Sequence, residues 1–153
     1  MRNNGKNSEA EVQSALKTLA TKLNGPFDWQ RLYDTTSARN VLRAQVGDFL
    51  FFLPDKHGVI EVKSTQHAYR LARTAFSPEP WRQLTRRSKA GGHIYVFIHH
   101  YVAGYWRFVP FETLFDAFNN QELKSIDLRN TETYLTATST LNAAFQHLLK
   151  VAS

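Results

Sequence analysis

Apolar residues recur along the first part of the chain at the spacing of one helical face. Val12, Leu16, Leu19 and Leu23 follow one another at intervals of four, three and four residues, as the inward side of an amphipathic helix does. Ser8 is the expected N-cap of this helix, and the Asn24-Gly25-Pro26 segment is its expected stop. Residues 1–7 are expected to form a flexible N-terminus.

The next part of the chain has the alternation and the turn residues of a β-hairpin. Strands are predicted at residues 47–53 and 59–63, joined by a turn that contains Pro54 and Gly58. The aromatic-rich residues 27–33 can begin another strand. The polar residues 34–46 predict a mobile loop, and unstructured loops of this length are often functional.

The second half of the chain adds the elements that complete a domain. A helix is expected to begin at Ser77-Pro78 and to end at Ala90-Gly91-Gly92. The other predicted elements are strands at 93–98 and 105–109 and helices at 111–119 and after Ser139 or Thr140. This order predicts one α/β domain over residues 1–153, with a mixed central sheet flanked by helices.

Composition excludes several classes of protein. The chain has 153 residues, no Cys and 42% hydrophobic residues, which excludes a disulfide framework, a Cys-ligated zinc, a thiol nucleophile and wholesale disorder. No apolar run approaches the ~20 residues of a membrane span, and the N-terminus has no signal-peptide apolar region. We therefore expect a soluble, cytoplasmic protein of a bacterial, archaeal or phage-infected cell, without a membrane partner.

The net charge of +6 is unevenly distributed. Residues 1–110 carry 16 Lys and Arg against 8 Asp and Glu, whereas residues 111–153 carry 3 against 5. Such a basic body favours a polyanionic partner, and nucleic acid is the default because cations release its condensed counterions. The candidate phosphate contacts are Arg39 and Arg43 in the predicted loop and Arg82, Arg86, Arg87 and Lys89 on one predicted helix.

The hairpin carries the candidate chemistry. Glu61 and Lys63 are two residues apart in a strand and so share one face. A four-residue loop at 54–57 would place Asp48 opposite Lys63 and diagonal to Glu61, about 7–8 Å away at Cα. Two carboxylates at this separation suit Mg²⁺ or Mn²⁺, which can polarise a phosphoryl oxygen and activate water. Glu9, near the inward face of the first helix, can supply a third carboxylate.

Five segments of the chain form an ordered set of motifs. They are Gly5-Lys6-Asn7-Ser8-Glu9, Arg31-Leu32-Tyr33-Asp34, Gly47-Asp48-Phe49-Leu50, Ile60-Glu61-Val62-Lys63-Ser64-Thr65 and Gly91-Gly92-His93-Ile94-Tyr95-Val96-Phe97-Ile98. Together they resemble the Holliday junction resolvases of the PD-(D/E)xK nuclease superfamily; the archaeal type and the RecU type are both similar, and phages carry small versions. The resemblance covers about residues 5–115 and implies a restriction-endonuclease-like core.

The resemblance implies roles for residues of this chain. Glu9, Asp48 and Glu61 match the metal-binding acids of the family, the Val62 carbonyl a further ligand, and Lys63 the catalytic lysine. It implies a homodimer that binds four-way DNA junctions and nicks two strands symmetrically. A fifth active-site position falls on either of two glutamines, Gln66 or Gln83. No segment clearly matches the longer stalk of RecU proteins unless the loop at 34–46 serves for it, and this departure bears on junction specificity more than on nuclease chemistry.

Other functions fit the same residues. A related PD-(D/E)xK repair or restriction-like nuclease would need the same acids and lysine, and a non-catalytic DNA-binding module could share the fold. Glu61 and Lys63 could also be the solvated face of an edge strand. His93, His99 and His100 are interpreted as strand-end or DNA-facing residues rather than zinc ligands, since adjacent histidines in a strand point to opposite faces.

Overall fold

A computed structural model describes residues 4–22, 27–32, 47–129, 136–138, 141 and 145–146. Its helices are α1 (Asn4–Lys22), α2 (Pro78–Lys89) and α3 (Phe111–Phe115), the last continued by a π-helical turn at Asp116–Asn120. Its strands are β1 (Asp28–Arg31), β2 (Phe49–Leu53), β3 (Lys56–Thr65), β4 (Arg70–Ala72), β5 (His93–His100), β6 (Tyr105–Pro110), β7 (Ser125–Asp127) and β8 (Thr136–Thr138).

Six strands form the central sheet in the order β1-β2-β3-β5-β6-β8. β3 and β5 are parallel, and the other neighbouring pairs are antiparallel. The crossover between the two parallel strands contains α2, as such a connection requires. β4 and β7 form a separate two-stranded sheet. The predicted α/β class, with a mixed central sheet flanked by helices, is confirmed.

Each face of the sheet has its own hydrophobic core. The α1 core contains Val12, Leu16, Phe49, Phe51, Ile60, Val62, Tyr95, Phe97, Trp106, Phe108 and Phe145. The α2 core, on the other face, includes Val59, Leu71, Phe76, Leu84, Ile94, Val96, Ile98, Val109, Phe111, Leu114 and Phe118. Because both faces of β3 are covered along its middle, Glu61 is buried inside the protein and not on a solvated edge, and Lys63 is half-buried.

The first helix differs from its prediction at its start. α1 begins at Asn4, so residues 4–7 are helical rather than part of a flexible N-terminus. Ser8 is not the N-cap but a fully buried residue inside the helix, where its Oγ donates to the Asn4 carbonyl at 2.8 Å. Ser8 lies one turn before Val12 on the buried face, and this packing outweighs its preference for a cap.

Most other predicted elements are confirmed. The hairpin, the helix after Ser77, the strands at 93–98 and 105–109 and the helix at 111–119 are all present. The short strands β4 and β7 were not predicted. The stop at 24–26, the loop at 34–46 and most of the final helix lie outside the described residues. Among the residues that are described, no helix is both long and apolar enough to span a bilayer.

Candidate active site

A glycine places Asp48 against the neighbouring strand. Gly47 has a φ of +89°, and a Cβ at this position would lie 2.0 Å from Val59 Cγ1. Both the backbone conformation and the close approach require glycine. The chain therefore enters β2 tightly packed on β3, and the Asp48 backbone N–H donates to the Ile60 carbonyl at 2.9 Å.

The hairpin register differs from the prediction by two residues. The turn has two residues, Pro54 and Asp55, so that Leu53 pairs with Lys56 and Phe49 with Ile60. Gly58 lies opposite Phe51, in a space too small for a Cβ. The predicted position of Asp48 opposite Lys63 is therefore wrong. The register does not continue to Asp48, whose N–H bonds to the Ile60 carbonyl although Phe49 already pairs with Ile60, as at a β-bulge. The Asp48 carboxyl group is tied to β3 by the Val62 N–H instead.

Asp48 is a buried carboxyl in an unfavourable electrostatic environment. Burial, and then the negative charge of Glu61, raise the pKa of Asp48 from 3.8 to about 8. Glu9 raises this pKa further, whereas the Val62 N–H and the Lys63 ammonium lower it. The Val62 N–H donates to Asp48 Oδ2 at 2.6 Å, which fixes the direction of the carboxyl group. When the pH is lowered towards neutral, Asp48 is therefore the carboxyl group of this site that takes up a proton.

Glu61 and Lys63 form an ion pair inside the site. Glu61 is 7% exposed, and Lys63 Nζ lies 2.9 Å from Glu61 Oε1. The ammonium also lies 4.8 Å from the centroid of the Phe76 ring, in the α2 core. The alternative in which Glu61 and Lys63 form a solvated edge is excluded, because β3 is a central strand with neighbours on both sides.

Glu9 approaches Asp48 from the other side of the sheet. It belongs to α1, which packs on the face opposite to Glu61, and its charge nevertheless acts on Asp48. Arg31 Nη2 donates to Glu9 Oε2 at 3.3 Å, and Arg31 Nη1 donates to Gln13 Oε1 at 2.5 Å. The charges of Glu61 and Glu9 therefore both act on Asp48, although the Glu9 carboxylate is paired with Arg31 of β1.

The donor atoms fit a hard divalent cation in part. Asp48 and Glu61 supply carboxylate oxygens from neighbouring segments, and the charge of Glu61 acts on Asp48. Carboxylate oxygen is the ligand type that Mg²⁺ and Mn²⁺ prefer. Within the described ranges, no group of three or more His, Asp or Glu residues is arranged to hold a metal ion. Two acids therefore fit the cation directly, and Glu9 would first have to leave Arg31. The roles of Glu9 and of the Val62 carbonyl as ligands stay predictions.

The predicted basic face of α2 is partly neutralised. Arg82 and Arg86 lie 3.6 Å and 3.8 Å from the carboxylate of Glu79, which is in the first turn of the same helix. Lys89 lies 5.8 Å from the ring of Phe115. Arg87 is exposed. Surface ion pairs are weak, so all four cations stay available to an anionic partner.

Two other groups of predicted residues can be placed. Arg39 and Arg43 lie outside the described residues. Gln66 is exposed in the bend after β3, and Gln83 donates to Glu79 on its own helix at 3.1 Å. Within the described part of the chain, neither glutamine is hydrogen-bonded to Glu9, Asp48 or Glu61, so the fifth position stays open between them.

The three histidines lie at the two ends of β5 (His93–His100), as one of their two interpretations states. His99 is half-buried and stacks on Trp106 at a centroid distance of 4.3 Å, with its Nδ1 2.8 Å from Ser8 Oγ. His100 is fully buried, with Nδ1 at 2.5 Å from the His67 carbonyl, so it does not face DNA. Burial lowers the pKa of both groups, that of His100 to about 4.

Sequence reasoning missed two side chains that contact the predicted site residues. Arg31 was part of the family resemblance but had no assigned role, and it holds Glu9. Phe76 lies in a stretch without periodicity, and it covers the Lys63 ammonium. Both contacts join different segments of the chain, and no local sequence pattern predicts such contacts.

Comparisons with known proteins give structural likenesses alone. No family model and no curated protein matches the chain. Among solved structures, the chain is similar to Hjc of Archaeoglobus fulgidus, a Holliday junction resolvase from an archaeal hyperthermophile. The TM-score is 0.46 and the identity is 21%, over 67% of this chain and 76% of that chain.

Proposed function

We propose that this protein is a metal-dependent endodeoxyribonuclease that resolves four-way DNA junctions by paired nicks. The observation that supports this most is the carboxyl group of Asp48, buried beside Glu61 and Glu9 with a pKa of about 8. Buried acids that repel one another cost stability unless a cation joins them. Lys63 stands next to this pair on the same strand face, as a phosphodiester-cleaving site would require.

The residues have distinct roles in this proposal. Asp48 and Glu61 hold Mg²⁺ or Mn²⁺, with Glu9 and the Val62 carbonyl as further ligands. When bound, the cation polarises a phosphoryl oxygen and lowers the pKa of its water. The Lys63 ammonium donates to the oxygens of the cleaved phosphate, whose negative charge grows as the bond breaks.

The substrate and the assembly follow from the same proposal. Exposed cations on α2 contact the DNA backbone, with Arg87 and Arg86 on its outer side. Two symmetric nicks in a junction need two active sites, which a two-fold homodimer supplies. The basic residues Arg39 and Arg43 are proposed to add backbone contacts.

A cleavage assay tests the activity and its substrate together. A labelled four-way junction and a matched linear duplex are incubated with the protein in Mg²⁺ or in EDTA. Symmetric nicks in the junction alone, and only with Mg²⁺, support the proposal. Equal cutting of the linear duplex would indicate a related repair or restriction-like nuclease. Binding without cutting would indicate a non-catalytic DNA-binding module.

A second assay tests the DNA surface. Replacing Arg86 and Arg87 together by Ala should weaken junction binding and reduce the dependence of binding on salt concentration, by a slope of about 1 to 2. Arg87→Ala alone should account for more of the loss, because Arg86 lies beside Glu79. An unchanged salt slope in the double variant would place the DNA surface elsewhere.

A further inference from the structure

We propose that Phe76 is the positioning residue that holds the Lys63 ammonium in place for reaction. The proposal rests on the nuclease function given above and adds a residue to its machinery. Phe76 lies outside the strand that carries Glu61 and Lys63. Its ring is the nonpolar partner of an ammonium whose other partner is a carboxylate.

The contact has the geometry of a cation–π interaction. Lys63 Nζ lies 4.8 Å from the ring centroid, inside the ~6 Å range over which the ring quadrupole attracts an ammonium. Phe76 is 7% exposed, so little water competes for this attraction. Phe76 follows a single 3₁₀ turn at Arg73–Ala75, and its backbone N–H donates to the Arg73 carbonyl at 3.2 Å.

The ring is itself braced by neighbouring aromatic side chains. Trp81 meets Phe76 edge-on, at a centroid distance of 5.0 Å and an angle of 62°. Trp81 packs in turn on Phe111 at a centroid distance of 4.9 Å, and its Nε1–H donates to Asn119 Oδ1 at 3.2 Å. Phe76 therefore has a fixed orientation under the ammonium, which a lone surface ring would lack.

The two partners of Lys63 differ in what they can do when a cation binds. Glu61 is a hard oxygen ligand, so a divalent cation competes with Lys63 for its carboxylate. The Phe76 ring offers no such ligand atom and keeps its attraction for the ammonium. Phe76 therefore holds the Lys63 ammonium at the site while the Glu61 carboxylate binds the divalent cation.

A matched pair of variants tests the role of the ring. Phe76→Leu keeps an apolar side chain but removes the aromatic face. Phe118→Leu makes the same change in the same cluster, two rings away from Lys63. We expect Phe76→Leu to slow single-turnover junction cleavage roughly 3- to 30-fold, the rate equivalent of a cation–π contact, with junction affinity unchanged. Phe118→Leu should leave the rate near wild type, and Phe76→Tyr should restore it.

A spectroscopic measurement tests the contact without DNA or metal. Lysines are ¹³C-methylated, and the Lys63 signal is assigned by its loss in Lys63→Arg. A ring above the ammonium shifts this signal upfield, and the shift should vanish in Phe76→Leu and persist in Phe118→Leu. A Lys63 signal without this shift, or equal rate losses in both Leu variants, would overturn the proposal. Absence of cleavage by the wild type would instead overturn the nuclease function, with the spectrum still reporting on the ring.

Discussion

Two places in the described protein bury ionisable side chains: the carboxylate site, where Glu61 is buried, and the buried pair His100 and Arg107. Arg107 donates to the Leu128 carbonyl and to the Tyr105 hydroxyl at 3.3 Å. His100 faces the His67 carbonyl through Nδ1, and burial keeps its pKa near 4. The pair therefore combines a neutral ring with a cation whose charge is directed at neutral oxygens.

The carboxylate site has a different composition. It holds three acids, of which Glu61 pairs with Lys63 and Glu9 with Arg31, while the Asp48 carboxyl group accepts a hydrogen bond from the Val62 N–H. Burial is the main cause of the shifted pKa at both places, and a like charge adds to it, Arg107 at His100 and Glu61 at Asp48. Burial and like charges therefore do not mark a functional site by themselves. The carboxylate site differs in its chemistry, because the group that acts on Asp48 is a second carboxylate, the donor type that a divalent cation prefers.

The largest expected effect comes from removing the acid at the centre of this repulsion. Asp48→Asn should lower junction cleavage at least about 100-fold, because a cation ligand is lost. Asp55→Asn, an equal change in the exposed turn of the same hairpin, should leave cleavage unchanged. Single-turnover rates with a labelled junction measure both. Wild-type cleavage by Asp48→Asn would remove Asp48 from the site.

The same substitution should make the protein more stable, unlike most changes to buried residues. The unfolded chain ionises Asp48 above pH 3.8, whereas the folded protein holds its proton up to about pH 8. The folded state binds more protons in this window, so its stability falls as pH rises. Asp48→Asn should therefore gain about 1 to 3 kcal/mol at pH 8 and little at pH 4.

Urea unfolding of wild type, Asp48→Asn and Asp55→Asn at the two pH values measures this gain. Equal free energies of unfolding for wild type and Asp48→Asn at pH 8 would mean that burial and the charge of Glu61 do not destabilise the ionised form of Asp48.

A bound divalent cation should stabilise the folded protein, because it reduces the repulsion between Asp48 and Glu61 that the Asp48→Asn variant removes by substitution. Mg²⁺ at about 100 times its dissociation constant should stabilise the wild type by about 2.7 kcal/mol, and EDTA should reverse this. Asp48→Asn should show little of the effect. Thermal unfolding with Mg²⁺, with Ca²⁺ and with EDTA measures it. Equal stabilisation of both proteins by Mg²⁺ would show that the cation binds elsewhere.

The buried histidine should show the opposite dependence on pH. The unfolded chain protonates His100 below about pH 6.5, whereas the folded protein keeps it neutral down to about pH 4. The unfolded state binds more protons here, so stability falls as the solution is acidified through this window, by about 1 to 3 kcal/mol. Unfolding free energies of wild type and of His57→Gln, an exposed control, should fall alike. His100→Leu should lose most of this dependence, and a full acid response in that variant would assign it to other groups.

The sequence predicted the hairpin but not the local geometry that places Asp48. The predicted register was wrong by two residues, and it does not continue to Asp48, whose N–H bonds to the Ile60 carbonyl. The roles of Asp48 and Glu61 at the site stay predictions. The distance between them was not predictable, since it depends on a two-residue turn and on the fit of Gly58 against Phe51.

Other features could not be predicted from local patterns. Ser8 looked like a cap in the sequence, and burial against the sheet made it an internal residue of α1. β4 and β7 have three residues each, too few to show alternation. The contacts of Arg31 with Glu9 and of Phe76 with Lys63 depend on how distant segments pack.

The smallest expected effect separates the contributions of the two acids that surround Asp48. Glu61 raises the pKa of Asp48 more than Glu9 does. Glu61→Gln should therefore lower this pKa further than Glu9→Gln, in the metal-free protein followed by NMR titration of the Asp48 carboxyl carbon. Glu11→Gln, on the same helix, should leave it unchanged, because Glu11 is exposed. A larger effect of Glu9→Gln would mean that Glu9 leaves Arg31 in solution and joins the other two acids without a metal, making the site a three-acid cluster rather than a pair with a distant neighbour.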